Sequence, residues 1–320
     1  MKGKHKITVQ NKKIKYEFCL RRNITVIQGN SATGKTALVD MIREYYENGE
    51  ESGIQLSCDK TCGVLEGRNW KNQLSLMHDS IIFIDEGNRF VTSKEFASEI
   101  QETDNYYVIV TRESLETLPY SVDEVYGIRD SGKYGSLKQT YNELYHIYEN
   151  RYQSGDICPE TLITEDTNSG FQFFEQICRE AGVKCLSANG KSNIFKKILD
   201  SGSERILVIA DGAAFGSEMR RIVYILKEKE NVALYLPESF EWLILISDVI
   251  KDSEVKEILN DPSDHIESSQ YMSWERYFTE LLTSKTEGTY LKYSKRMLNQ
   301  AYLQENIRKK ILRSMQGIKI

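Results

Sequence analysis

Proline is scarce in this 320-residue chain, with four in all, and no run of apolar residues approaches the length of a membrane span. The first shortage, together with the lack of any biased tract, excludes a low-complexity or proline-rich chain and leaves an ordinary globular composition. The second excludes a membrane-spanning helix. The Lys-rich N-terminus lacks the apolar stretch of a secretion signal. Six cysteines at positions 19, 58, 62, 158, 178 and 185 show no regular spacing, which argues against a disulfide framework and for reduced thiols. Cys58 and Cys62 have neither a second pair nor a neighbouring histidine, so a four-ligand zinc site is not expected there. A cytoplasmic protein without a membrane partner is the expectation, and no internal repeat of fixed period is present.

The net charge is −5, which gives no global basic signature for nucleic acid. The ends differ from the average. Residues 1–22 carry Lys2, Lys4, Lys6, Lys12, Lys13, Lys15, Arg21 and Arg22 against Glu17 alone, and the last thirty residues are similarly basic. Such ends suit either a solvated surface or contact with a polyanion. At this length two domains are expected rather than one core.

The most informative segment is Gly29-Asn30-Ser31-Ala32-Thr33-Gly34-Lys35-Thr36, which fits G-x-x-x-x-G-K-[ST] at each fixed position. A β-branched run, 23–28, precedes it as a strand, and 35–46 follows as a helix. In that context glycines let successive backbone N–H groups converge on a phosphate, and the helix start adds its positive dipole end. Lys35 is placed to reach the β- and γ-phosphates and Thr36 to hold Mg²⁺. ATP with Mg²⁺ is the expected cofactor pair. About fifty residues on, Ile81-Ile82-Phe83-Ile84 reads as a buried strand that ends in Asp85 and Glu86. Asp85 is expected to hold the metal through water and Glu86 to activate the attacking water.

The remaining pattern alternates strands and helices and predicts a mainly parallel, doubly wound sheet. A hairpin is expected over 6–20, strands at 54–57, 106–110 and 122–128, and helices at 69–78 and 93–101. Tyrosines at 141, 145, 148 and 152 predict a helix over 137–152 that closes a first domain, 1–152. In the second half, strands are expected at 161–164, 183–186, 206–210 and 232–236, with helices between them. This gives a Rossmann-like α/β domain over 153–250. Beyond it a polar helical segment, 251–320, ends in a helix over 293–315.

The loop and acidic pair together resemble the P-loop ATPases that carry a glutamate after the metal-binding aspartate. The resemblance spans roughly residues 20–130. It implies a γ-phosphate sensor at the end of the next strand, which falls on Thr111, and an arginine that stabilises transition-state charge, with Arg89, Arg112 and Arg129 as alternatives. No L-S-G-G-Q-like signature and no long coiled-coil insert is present, which disfavours the transporter-type and chromosome-maintenance-type ATPases. In the second half, Glu165 after the first strand and Asp211 after the third resemble the Toprim arrangement, and Glu238 and Glu241 follow the fourth. The order ATPase then Toprim is similar to ATPase-linked Toprim nucleases of phage defence. That resemblance implies metal-assisted phosphodiester chemistry at Glu165, Asp211 and Glu241, with Glu165 and Asp211 as metal ligands. It also implies a nucleic-acid partner, DNA in preference to RNA, and self-association or a partner protein. Two departures stand out: Ala213 occupies the second acidic position of the family's D-x-D, and no glycine follows Glu165. Glu218 or Glu241 could replace the missing acid. The alternative is an NTP-driven switch whose second domain binds a protein or small ligand without chemistry. A small-molecule kinase is a third reading, disfavoured by Glu86.

Overall fold

The computed structural model describes residues 1–29, 34–132, 139–148, 158–202, 205–315, 317–318 and 320. The chain divides into two units, Met1–Glu149 with Pro262–Met272, and Asn150–Asp261 with Ser273–Ile320. The segment 251–320, expected as one helical tail, is therefore shared between them. Residues 262–272 belong to the first unit because the Met1 ammonium pairs with Glu267, and the Ser268 N–H donates to Met1 O at 2.9 Å.

The first unit opens with the expected hairpin, β1 (His5–Gln10) and β2 (Ile14–Leu20). Its turn is fixed by Asn11, whose side-chain oxygen accepts from the N–H groups of Lys13 and Ile14. There follow β3 (Ile24–Ile27), α1 (Lys35–Asn48), β4 (Gln55–Ser57), β5 (Thr61–Val64), α2 (Trp70–Leu74), β6 (Ser80–Ile84), α3 (Lys94–Glu99), β7 (Tyr106–Val110), β8 (Val125–Asp130) and β9 (Thr140–His146). The nine strands form one sheet in the order β4-β1-β2-β9-β8-β3-β7-β6-β5. From β8 to β5 all neighbours are parallel, while the β1–β2, β1–β4 and β8–β9 pairs are antiparallel. Every residue of β3, β6 and β7 is buried, as befits parallel strands covered on both faces. The period of two sorts β7 accordingly. Tyr106, Val108 and Val110 join the core closed by Leu38, Val39 and Ile42 of α1. Tyr107 points the other way, edge-on to Phe96 of α3 with ring centroids 6.0 Å apart.

The structure corrects four expectations here. The tyrosine-bearing segment is not a helix: Thr140–His146 is β9, parallel to β2 and antiparallel to β8. An i, i+4 spacing is also an even spacing, so Tyr141 and Tyr145 share a strand face as readily as a helix face. On that face Lys15 lies over the Tyr141 ring and Arg129 over the Tyr145 ring, which fills the space beside Gly127. Residues 137–138 and 149–152 of the expected helix lie outside the described residues. The helix expected over 69–78 runs only from Trp70 to Leu74. The strand at Thr61–Val64 was not anticipated; its small residues Thr61, Cys62 and Gly63 carry little strand signal. Residues 122–124 are a single 3₁₀ turn, capped by Ser121 Oγ accepting from Asp123 N–H, rather than the start of β8.

The second unit holds β10 (Thr161–Thr164), α4 (Ser169–Ala181), β11 (Lys184–Ser187), α5 (Ile194–Asp200), β12 (Ile206–Ile209), α6 (Met219–Glu228) and β13 (Val232–Tyr235). The sheet order is β11-β10-β12-β13 and all its pairs are parallel. Four further helices follow: α7 (Phe240–Ile246), α8 (Ser253–Asn260), α9 (Trp274–Thr286) and α10 (Glu305–Ser314). Phe173 and Phe174 of α4 meet Phe240 of α7 at 5.3 and 5.9 Å, which fixes α7 beside the start of α4. The helix expected over 293–315 is confined to α10. Tyr293 is held instead by side-chain bonds: its N–H donates to Thr286 Oγ1, and its hydroxyl reaches Ser169 and Glu241.

Candidate functional site

The Gly-rich loop emerges where β3 ends. Gly29 (φ 144°) and Gly34 (φ 87°) both lie in the left-handed half of conformational space, where a side chain is strained. Gly34 is doubly constrained, because a Cβ there would lie 2.8 Å from the Tyr16 hydroxyl. That hydroxyl donates to Gly34 O at 2.8 Å, and burial pushes its pKa up to about 12, so it stays a donor. Lys35 opens α1, buried, and its Nζ donates to Gly29 O at 2.9 Å. Burial lowers the lysine's pKa; the Glu86 and Asp85 carboxylates oppose this, while Arg112 adds to it. Thr36 is exposed on the first turn, and α1 has no acidic residue there to neutralise its positive end. Asn30, Ser31, Ala32 and Thr33 lie outside the described residues.

The strand order decides what else reaches this edge. β7 lies between β3 and β6, with Ile27 opposite Val110 and Ile84 opposite Ile109. Asp85, Glu86 and Thr111 therefore leave the sheet at the same carboxyl end as the loop. One carboxyl oxygen of Asp85 is buried without a hydrogen-bond partner among the described residues. Burial raises this group's pKa, with Asp40 and Glu86 adding to the effect and the Glu86 N–H and Arg43 opposing it. Glu86 is paired with Arg112, Oε1 to Nε 2.7 Å. Thr111 is buried and its hydroxyl accepts from the Glu113 N–H at 3.0 Å, so it caps the strand end. Of the three arginines, only Arg112 is seen beside Glu86; Arg129 is bonded to Glu143. Sequence reading missed Tyr16, which is recognisable only once β2 is known to pass the loop.

In the second unit, β10 and β12 are neighbours with Thr164 opposite Ile209, so Glu165 and Asp211 meet at the carboxyl edge. The Asp211 N–H donates to Glu165 Oε2 at 3.3 Å. Glu241, buried on α7, accepts from Tyr293 Oη at 2.6 Å. Sequence reading missed three residues of this cluster. Lys295 pairs with Glu275 and lies 3.9 Å from Glu241, while Lys191 donates to Ala214 O at 2.7 Å. Lys295 and Glu275 come from segments with no motif, so no local signal could have marked them. Ala213 is buried, and its N–H donates to Glu238 O at 3.3 Å.

Charge balance here is tight. Burial would depress the pKa of Lys295, but Glu241, Glu275 and Asp211 together hold it above its ordinary value. Asp211 is pushed well up by burial, then by Glu275, Glu165 and Glu241, against the pull of Lys295. Glu165 is raised by burial from 4.5 to about 7; Glu275 and Asp166 add to this, while the Asp211 N–H and Lys191 oppose it. No group of three or more His, Cys, Asp or Glu side chains arranged to hold a metal ion occurs among the described residues. The expected metal pair Glu165 and Asp211 is thus brought together, but with a lysine ammonium among the surrounding acids.

A carboxyl whose pKa is raised in the fold binds its proton more tightly folded than unfolded. Its stabilising contribution is present at low pH and is lost as the pH rises from about 4.5 to about 7. Stability measured by urea unfolding should fall across that window. Glu165→Gln, which keeps an acceptor for the Asp211 N–H, should remove part of the slope, on the order of 1–2 kcal/mol after allowance for partial exposure. An unchanged slope in the variant would refute the raised pKa. Comparison with known proteins leaves the geometry to speak alone: no family model, no curated protein and no solved structure matches this chain.

Proposed function

We propose that the first unit is a Mg²⁺-dependent ATP hydrolase of the P-loop class, and that its nucleotide cycle governs a Toprim-like second unit that engages nucleic acid. The observation that carries the first part is the convergence of Lys35, Asp85 and Glu86 on one sheet edge, with a buried Asp85 oxygen that has no partner among the described residues. Such an oxygen is costly to bury unless a donor or cation completes it. The residues present fit Mg²⁺·ATP: Gly34 holds a left-handed backbone with no room for a Cβ beside the Tyr16 hydroxyl, and Lys35 stands at the helix start.

When bound, the nucleotide and its cation supply the phosphoryl group and neutralise part of its charge. The protein's share is then positional. Lys35 exchanges its bond to Gly29 O for phosphate oxygens, and Thr36 and Asp85 hold the cation. Glu86 orients the attacking water and takes its proton at a carboxylate oxygen. Arg112, paired with Glu86 Oε1, stands beside it to face developing negative charge. Lys35→Ala should remove most ATP binding while leaving the fold intact; hydrolysis by that variant at the wild-type rate would end the assignment. Glu86→Gln should keep nucleotide affinity and lower kcat by about 100-fold or more, measured by phosphate release.

Support for a polyanion partner is narrower than the sequence suggested. Arg22 is buried against Glu124, Lys295 faces the acidic cluster, and Tyr293 and Tyr302 are buried. Tyr290 remains exposed, in a groove it shares with Lys251 and Lys310. Lysines beside an exposed aromatic ring suit a single strand, by charge and by base stacking.

One observation favours a second reading of this unit, as a domain that binds without cleaving. Lys295 sits among Glu241, Glu275 and Asp211, where a cation is needed, and supplies that charge itself. On this reading plasmid DNA stays intact with Mg²⁺ or Mn²⁺, with or without ATP. Lys295→Ala should unfold more easily than the wild type in urea, and millimolar Mn²⁺ should restore part of the loss. Cleavage by the wild type that disappears in Asp211→Ala would return the unit to the metal nucleases.

A further inference from the structure

Away from both clusters, a surface cleft of the first unit brings two cysteines together. Cys58 follows β4 and is partly exposed; Cys62 lies in β5, only 4% exposed. Both are free and both line the cleft, and the Cys62 S–H lies 3.8 Å from Lys60 O. The surroundings differentiate them. The Cys58 sulfur lies 3.6 Å from Asp59 Oδ1, and Asp59 is held in turn by His5 Nδ1 at 2.9 Å. The Cys62 thiol and the Lys60 N–H pull the Cys58 pKa down, burial and the Asp59 carboxylate push it up, and the net shift is downward. The Cys62 thiol is raised, by its contact with Cys58 and by burial. One sulfur is thus reachable and nucleophilic, and the other is sheltered and within reach of it.

We propose that Cys58 and Cys62 form a reversible dithiol site that reacts with a hydroperoxide. The Cys58 thiolate attacks the peroxide oxygen, an S–O bond forms, the O–O bond breaks, and the leaving oxygen departs as water or alcohol after taking a proton. Cys62 then attacks the Cys58 sulfur. An S–S bond forms as the S–O bond breaks, and the hydroxyl leaves as water with the Cys62 proton. Two thiols are oxidised and one peroxide is reduced; a dithiol reductant reverses the change. The cleft wall opposite is made by Tyr45 and Tyr46 of α1, the helix that begins at Lys35. In the second unit Cys178 and Cys185 are also in contact, but Cys178 is wholly buried on α4 and closed to an oxidant.

The site is testable without reference to nucleotide. Trypsin cuts after Lys60, so Cys58 and Cys62 fall on separate peptides, 44–60 and 61–68, unless a disulfide joins them. Full-length protein is treated with hydrogen peroxide, blocked with N-ethylmaleimide, digested and mapped by mass spectrometry. The expected product is the linked pair 44–60/61–68, absent before treatment and lost with dithiothreitol. Cys62→Ser should instead trap Cys58 as a dimedone-reactive sulfenic acid, and Cys58→Ser should leave Cys62 alkylated. Three outcomes would overturn the proposal: Cys58 oxidised to the sulfonic acid without linkage, both cysteines alkylated after peroxide as before it, or stoichiometric zinc released by thiol-specific mercurial from the wild type but not from Cys58→Ser.

Discussion

A carboxylate delivered to the edge of a buried parallel sheet must acquire a cation or keep its proton, and both units are organised around that requirement. The strands β6, β10 and β12 are fully buried, so the acids that follow them start from a poorly hydrated position. Removing a carboxylate from water costs several kcal/mol unless something compensates. The first unit leaves Asp85 with one oxygen uncompensated among the described residues and sets the lysine of the glycine loop nearby. The second closes its balance internally, with Lys295 against Glu241 and Glu275, and raised pKa values at Glu165 and Asp211. An open balance invites a ligand, whereas a closed one holds a shape.

This contrast also bears on Ala213. An acid at that position would add a further carboxylate to a cluster already short of positive charge, in a side-chain environment that is buried. The backbone there is committed as well, since the N–H groups of Gly212 and Ala213 donate to the carbonyls of Pro237 and Glu238. Gly212 itself has no room for a side chain: a Cβ would lie 2.7 Å from Leu236 O. The turn after β12 therefore serves to dock the 236–241 segment, and that docking brings Glu241 to the cluster. An acid is supplied by the next loop rather than by the next residue but one.

Much of this was legible in the sequence, and the parts that were not share a cause. The strands β3, β6, β7, β10 and β12 are short apolar runs bounded by polar or glycine residues, and each was expected within a residue of where it lies. Local patterns also marked Lys35, Asp85, Glu86, Glu165 and Asp211. Tyr16, Lys295 and Glu275 act at positions reached only through tertiary pairing, and nothing beside them in the chain announces it. β9 was misread because tyrosines four apart satisfy two periodicities at once, and only the neighbours β2 and β8 decide between them. The 293–299 stretch failed for a related reason: its hydrogen bonds go to Thr286, Ser169 and Glu241, all distant in sequence.

The pair Glu86–Arg112 carries the argument one step further. Each side chain follows a strand that flanks the loop strand or its neighbour, so the bond between them spans adjacent strand ends, β6 and β7. Both groups are partly exposed, and an exposed pair of this kind is worth about 1 kcal/mol or less. That is small beside the electrostatic gain available to an arginine facing a polyphosphate or to a carboxylate facing a polarised water. The pair is therefore strong enough to set the resting positions of both groups and weak enough to yield. Lys35 donates to the neutral carbonyl of Gly29 and also lies in the field of the Glu86 and Asp85 carboxylates. The Glu86–Arg112 pair is parked rather than locked, whereas Glu241, buried, bonded to Tyr293 and 3.9 Å from Lys295, has no comparable freedom.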